Sequence, residues 1–103
     1  MASEVILSLR SQADLRAIVD YIRADNPVAA DDFASELIRR LNRLGQFPRS
    51  GAIYARRRGF EVRQITYRKY RVFFRVRPRL KRVEILSLWH GARQEPRRRD
   101  SSL

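Results

Sequence analysis

The hydrophobic pattern of this 103-residue chain changes period once, close to Gly45. Before that point, apolar residues recur at the spacing of a helix; after it, apolar and polar residues alternate. A helical period brings one stripe of a helix to the core, whereas a period of two brings one face of a strand. The chain is therefore predicted to divide into a helical half and a sheet-forming half.

The first half is predicted to hold a short strand and two helices. Glu4–Arg10 is β-prone, and Ser11 with Asp14 resembles the start of a helix. Asn26-Pro27 marks the boundary between the helices, because Asn is a good N-cap and Pro is favoured at the first helical position. Gly45 is placed to end the second helix.

The second half is predicted to hold three strands. Phe47 to Gly59 is assigned to a loop, because it is rich in Gly, Pro and consecutive arginines. The strands follow at Phe60–Tyr67, Tyr70–Arg77 and Arg82–His90. The middle strand has the clearest alternation: Tyr70, Val72, Phe74 and Val76 on one face, and Arg71, Phe73, Arg75 and Arg77 on the other.

This order predicts a two-layer α+β fold, β-α-α-β-β-β. The helical hairpin would cover one face of a mainly antiparallel four-stranded sheet and leave the other face to the arginines. We expect a single domain over residues 1–95 and a basic polar tail over 96–103.

The charge is segregated between the same two halves. Residues 1–45 carry six Lys+Arg and seven Asp+Glu, a net of −1, and residues 46–103 carry seventeen and four, a net of +13; the sum is the chain's +12. Such concentrated positive charge indicates a polyanionic or acidic partner. The chain has no cysteine and no apolar run near the roughly 20 residues of a membrane helix, and we do not expect its first residues to act as a signal peptide. We expect a cytoplasmic protein without a membrane partner.

The residues that could carry chemistry are one histidine and several arginines. His90 is either a general acid or base, or a histidine that hydrogen-bonds at the sheet edge. Arg63, Arg71, Arg75 and Arg93 are predicted to converge on one concave face. They could stabilise a transferring phosphate, grip a nucleic-acid backbone, dock an acidic peptide, or form only a solvated basic face.

Among the aromatic residues, Phe73 is the one predicted on the arginine face, where it could contact a target. The sequence contains no Gly-rich phosphate loop, nucleophile elbow or metal-ligand cluster. We therefore expect neither a metal site nor a cofactor.

Several segments resemble the RelE/ParE toxins of type II toxin–antitoxin modules, over roughly residues 4 to 95. These segments are Ala13-Asp14-Leu15, Tyr21-Ile22, Asn26-Pro27-x-Ala29-Ala30, Leu44-x-x-Phe47-Pro48-x-Ser50-Gly51, Lys69 to Phe74, and His90-Gly91-Ala92-Arg93. The resemblance implies a compact α+β toxin that is wrapped by a cognate antitoxin in a hetero-oligomer.

The family also implies two possible targets. RelE-like members cut mRNA in the ribosomal A site, and ParE-like members poison DNA gyrase. The ending His90 to Arg93 is more similar to the ParE branch. Either target would meet a surface drawn from Arg63, Lys69, Arg71, Phe73, Arg75 and Arg93.

A ribonuclease would use Arg63, Arg71 and Arg93 on the scissile phosphate and His90 as general acid. However, the segment Gly51 to Tyr54 has no carboxylate base, and Gly91 stands where those members have an aromatic residue. The sequence therefore favours a gyrase inhibitor. A ribosome-dependent endoribonuclease is the alternative, and a non-toxic nucleic-acid binder is the third hypothesis.

Overall fold

A computed structural model describes residues 3–91 of the chain. The elements in chain order are β1 (Glu4–Leu7), α1 (Leu9–Asp25), α2 (Pro27–Gln46), β2 (Ala52–Arg57), β3 (Phe60–Tyr67), β4 (Tyr70–Arg77), a 3-10 turn (Pro78–Leu80) and β5 (Arg82–His90). The five strands form one sheet in the order β1-β5-β4-β3-β2; β1 is parallel to β5, and the other neighbours are antiparallel.

The predicted two-layer α+β architecture is confirmed, but the sheet has five strands where four were expected. The additional strand is β2, within the segment predicted to be a loop. It lies at the sheet edge and pairs only with β3 within the described residues. Edge strands are often short and charged, which discourages pairing with other chains. Because β2 ends in two arginines, its sequence was interpreted as a loop rather than as a strand.

The first helix begins earlier than predicted. Ser8 is the N-cap of α1, and its Oγ accepts a hydrogen bond from the backbone N–H of Ser11 at 3.0 Å. β1 consequently ends at Leu7 rather than at Arg10. Ser11 is a buried residue in the first turn, and its hydroxyl donates to the carbonyl of Ser8. The capping pattern is real, but it is shifted by three residues.

The second helix begins as predicted and ends one residue later. The Asn26 side chain accepts a hydrogen bond from the N–H of Ala29 at 3.0 Å, and Pro27 follows at the first helical position. Gly45 lies inside the helix rather than ending it. Its carbonyl accepts from the N–H of Ser3 at 2.7 Å, so the absence of a side chain lets β1 approach α2 closely.

The main core lies between the helical hairpin and one face of the sheet. Both helices contact β1 and β5. The buried tyrosine Tyr67 donates its hydroxyl to the carbonyl of Phe33 at 3.0 Å, and burial raises the pKa of Tyr67 above its ordinary value. Residues of this core are Phe33, Leu37, Leu41, Leu44, Tyr67, Val72, Phe74, Val83, Ile85 and Leu88. Within residues 3–91, neither helix is long and apolar enough to span a membrane.

Candidate functional site

The sheet has a face turned away from the helices, which we call the open face. Residues that are paired across antiparallel strands lie on the same face. Gln64 pairs with Phe73, and Arg75 pairs with Glu84, while Val72 and Phe74 belong to the main core. The predicted alternation of β4 is therefore confirmed, and Arg71 and Arg75 lie on the open face.

Phe73 is not available as a contact residue, which corrects the sequence-based interpretation. Its side chain is on the open face but is 0% exposed. It belongs to a second apolar cluster, with Tyr54, Ala55 and Val62 buried and Phe60, Leu86 and Trp89 packed against them. The Tyr54 and Phe73 rings meet edge to face, with centroids 4.8 Å apart. Phe73 therefore supports the open face from beneath rather than contacting a target.

Arg71 is held in place on top of this cluster. Its Nε and Nη2 donate to Oε1 of Gln64 at 3.0 and 2.8 Å. Its guanidinium lies 5.6 Å from the centre of the Tyr54 ring and 5.3 Å from that of Phe73. Stacking and fixed hydrogen bonds restrict the rotamers of an arginine, which lowers the entropy that it loses when it binds an anion.

Arg75 is held by a carboxylate as well as by a ring. It donates from Nε to Oε1 of Glu84, and its guanidinium lies 4.9 Å from the centre of the Phe60 ring. Glu84 also lies within 3.8 Å of Arg77 and 3.7 Å of Arg82. One carboxylate therefore offsets part of the charge of three arginines.

Sequence reasoning missed Gln64, Tyr54 and Glu84 as parts of this surface. Gln64 and Glu84 are ordinary polar residues in predicted strands, and Tyr54 was assigned to a loop. Only the register of the strands brings them beside the arginines of β4.

His90 does not join the arginines, contrary to the prediction. It pairs with Tyr70 across β4 and β5, and its ring meets the Tyr70 ring edge to face at 5.2 Å. Tyr70 packs in turn against Phe33 of α2, so His90 is on the helix side of the sheet. It lines a cavity of about 480 Å³ together with Asp14, Ala17, Ile18, Tyr21, Tyr70 and Leu88. Asp14 accepts a hydrogen bond from the N–H of Leu88 there at 3.0 Å.

Arg63 also lies on the helix side, because it pairs with Phe74. Its Nη1 donates to the carbonyls of Gly51 at 2.8 Å and Arg49 at 3.3 Å, and its Nη2 lies 3.5 Å from Glu61. Arg63 therefore stabilises the loop before β2. The predicted convergence of Arg63 with Arg71 and Arg75 on one face is therefore wrong.

Of the remaining predicted site residues, Lys69 lies at the end of the sheet. Lys69 is exposed in the turn between β3 and β4, and its carbonyl accepts from the N–H of Gly91 at 2.6 Å. Arg93 and the basic tail lie outside the described residues. Among residues 3–91, no three His, Asp or Glu side chains form a group that could hold a metal ion.

The arrangement is chemically a binding surface: Arg71 and Arg75 present oriented guanidinium groups over aromatic rings, and His90 lies on the other side of the sheet. Such a surface suits recognition of carboxylates or phosphates.

Comparisons with known proteins agree with this fold. The family model described as the ParE toxin of the type II toxin–antitoxin system, parDE, matches residues 5–95. The chromosomal ParDE system of P. aeruginosa is 24% identical, with a TM-score of 0.69 over 86% of this chain and 96% of that one. The RelBE2 toxin–antitoxin complex of Mycobacterium tuberculosis is 19% identical, with a TM-score of 0.59 over 90% and 95%. No curated protein matches this chain. The match along nearly the whole domain confirms the resemblance noted in the sequence: the chain belongs to the ParE toxins of type II toxin–antitoxin systems.

Proposed function

We propose that this toxin arrests growth by inhibiting DNA gyrase and that a cognate antitoxin neutralises it. One observation carries the choice of target: the residues that a ribonuclease would need are divided between the two faces of the sheet. Arg71 is on the open face, whereas His90 and Arg63 are on the helix side.

This division argues against acid–base catalysis by the predicted set. A general acid must come within hydrogen-bond reach of the atom that it protonates, while the arginines hold the same phosphate. Side chains on opposite faces of a strand point in opposite directions. A phosphate held by Arg71 would be separated from His90 by the sheet itself.

The open face instead supports a role in binding. Arg71 and Arg75 are oriented by neighbouring side chains, and the exposed Lys69 extends the positive charge to the turn before β4. Oriented guanidinium groups bind planar acidic groups without a large loss of side-chain entropy. We expect Lys69, Arg71 and Arg75 to contribute to the gyrase-binding surface.

The antitoxin partner rests on the family and on charge. Two of the similar structures are a ParDE system and a RelBE2 toxin–antitoxin complex. The net charge of +13 over residues 46–103 would attract an acidic segment, and a segment that folds on binding covers a large surface with few residues. We propose a toxin–antitoxin hetero-oligomer in the cytoplasm.

The first test is to express the protein without antitoxin and to follow DNA, RNA and protein synthesis separately. We expect DNA synthesis to stop first and the DNA-damage response to follow. The purified protein should also inhibit supercoiling by purified gyrase. An early arrest of translation, with mRNA cut on ribosomes, would show instead that the target is the ribosome.

Two variants separate the targets further. His90→Ala should remain toxic, because His90 is not on the proposed binding surface. The double variant Arg71→Gln with Arg75→Gln should lose gyrase inhibition, with Arg16→Gln on the exposed part of α1 as the matched control. Thermal unfolding verifies that each variant is folded. Loss of toxicity in a folded His90→Ala protein would contradict the proposal and support a ribonuclease.

A further inference from the structure

Two turns of the chain lie together at one end of the sheet. Strands β2 to β5 are consecutive antiparallel neighbours, so the β2–β3 turn and the β4–β5 turn lie at the same end, opposite to Lys69 and His90. Neighbouring strands are about 4.8 Å apart, which places the centres of the two turns roughly 10 Å from each other. We call residues 56–61 and 77–84, which include these turns, the cationic end.

The cationic end concentrates positive charge. Its fourteen residues include seven Lys or Arg and two Glu, a net of +5. Both carboxylates are shared between cations. Glu84 lies among three arginines, and Glu61 lies 3.7 Å from Arg56 and 3.5 Å from Arg63. The two carboxylates therefore offset only part of the charge. The exposed cations in the turns themselves are Arg58, Arg79 and Lys81.

A cleft of about 330 Å³ enters the sheet at this end. Among the described residues that line it, Glu61 is acidic and four are arginines: Arg49, Arg56, Arg57 and Arg63. The Nη2 atom of Arg57 is buried and has no hydrogen-bond partner among the described residues. Buried polar groups in folded proteins are nearly always hydrogen-bonded, and an anionic oxygen in the cleft would satisfy this donor.

The composition of the cationic end favours the backbone of duplex DNA over other anionic partners. Phe60 is its one aromatic residue; the ring is partly buried, and the guanidinium of Arg75 lies 4.9 Å from its centre. Proteins that bind single strands stack the bases on aromatic side chains, and the cores of protein interfaces are depleted of charged residues. A duplex backbone requires mainly cations. Two cationic turns roughly 10 Å apart also match the roughly 12 Å width of its major groove.

We propose that the cationic end binds the phosphodiester backbone of duplex DNA and, as a step that rests on the proposed function, that this is the DNA on which gyrase acts. The cationic end is continuous with the open face, because Arg77 and Arg82 share Glu84 with Arg75. A toxin that held gyrase through the open face would therefore present its cationic end beside that contact. Two linked contacts bind more tightly than either one alone.

The first test measures binding of the purified toxin to a short, fluorescently labelled DNA duplex at several salt concentrations, by anisotropy. The logarithm of the association constant should fall linearly with the logarithm of the salt concentration, by about 0.9 for each neutralised phosphate. The triple variant Arg58→Gln, Arg79→Gln, Lys81→Gln removes three exposed cations. It should raise Kd and reduce the slope by about 2–3.

A second triple variant is the matched control: Arg16→Gln, Arg39→Gln, Arg43→Gln. It removes the same charge from exposed positions on the two helices, so its slope should remain that of wild type. The double variant Arg79→Lys with Lys81→Arg keeps the charge and should keep the binding. Thermal unfolding verifies that each variant is folded. The DNA site is overturned if both triple variants have the same Kd and slope, if the wild type does not bind the duplex at low salt, or if single-stranded RNA of equal length binds more tightly.

The second test measures inhibition of supercoiling by purified gyrase. The triple variant of the cationic end should require about tenfold or more toxin for half inhibition than the helix triple variant. Equal inhibition by the two would contradict the inference that the cationic end contacts the DNA on gyrase. A wild-type toxin that binds the duplex with the expected slope but leaves gyrase active would instead contradict the proposed function, and the DNA site would stand.

Discussion

Replacing Glu84 with glutamine should destabilise the toxin more than the loss of an ordinary surface ion pair. Glu84 is the carboxylate that lies among Arg75, Arg77 and Arg82, and its side chain is 18% exposed. Glutamine has nearly the same shape and keeps one hydrogen-bond acceptor, so Glu84→Gln removes mainly the negative charge. Three arginines would then repel one another on one side of the sheet.

The magnitude follows from the contacts. A hydrogen bond between charged groups contributes about 1.5–3 kcal/mol, against about 1 kcal/mol for a neutral one. The two longer ion pairs, to Arg77 at 3.8 Å and Arg82 at 3.7 Å, add about 0.2–1 kcal/mol each at most. The free energy of unfolding should therefore fall by about 2 kcal/mol. In a domain of this size that lowers Tm by roughly 8–16 °C.

Thermal unfolding at low and high salt is the assay. The difference should shrink in 1 M salt, where the Debye length is about 3 Å. Asp31→Asn is the control: its pair with Arg23 has an N–O distance of 2.9 Å, but the two side chains are 69% and 47% exposed, so it should cost less than about 1 kcal/mol. An equal Tm for the two variants at low salt would refute the reasoning that burial and shared charge, rather than distance, determine the cost.

Two further substitutions and the pH dependence of stability test the fold. Gly51→Ala should lower the free energy of unfolding by about 1–3 kcal/mol in a denaturant titration, because its Cβ would lie 2.7 Å from the carbonyl of Gln64 and 2.8 Å from the Phe74 ring. Asn26→Ala should cost about 0.5–2 kcal/mol through loss of the N-cap of α2, and Asn26→Ser should restore most of it. Because burial raises the pKa of Tyr67, the contribution of Tyr67 to the unfolding free energy should be constant below the unfolded-state pKa near 10 and be lost as the pH rises through the folded-state pKa; Tyr67→Phe should remove this part of the pH dependence.

Local signals in the sequence predicted the helical hairpin because its features are short-range. Asn26 and Pro27 cap α2 through contacts with their immediate neighbours, and the helical stripe lies on one side of a single helix. The first strand ends three residues earlier than predicted, and the first capping motif is shifted by the same three residues. Ser8 and Ser11 are both suitable caps, and Ser8 is the one that is also bonded to β5, through the carbonyls of Ile85 and Leu86.

The sheet edge was less predictable. The residues of β2 do not alternate between apolar and polar and end in two arginines, so the strand is recognised by its pairing with β3 rather than by its own pattern. The burial of Phe73 has a similar origin: its cover comes from Tyr54 of β2 and from the Arg71 side chain above it. Arg71 is on the same face of the predicted strand as Phe73, but the contact with Tyr54 depends on the pairing of β2 with β3 and cannot be identified from the sequence around Phe73.

The sequence by itself determined the two halves of this toxin, the alternation of β4 and the concentration of charge in the sheet-forming half. The position of His90 was decided only by the tertiary structure. Phe74 pairs with Ile85 but Phe73 pairs with Ser87, so β5 contains one extra residue opposite β4. Such a bulge exchanges the faces of every later side chain in the strand. It turns Leu88 and His90 toward the helices and leaves Arg71 and Arg75 on the open face. Because side chains alternate with a period of two, one inserted residue places His90 on the opposite side of the sheet from Arg71 and Arg75. The residues predicted for a ribonuclease site are therefore not brought together on one face.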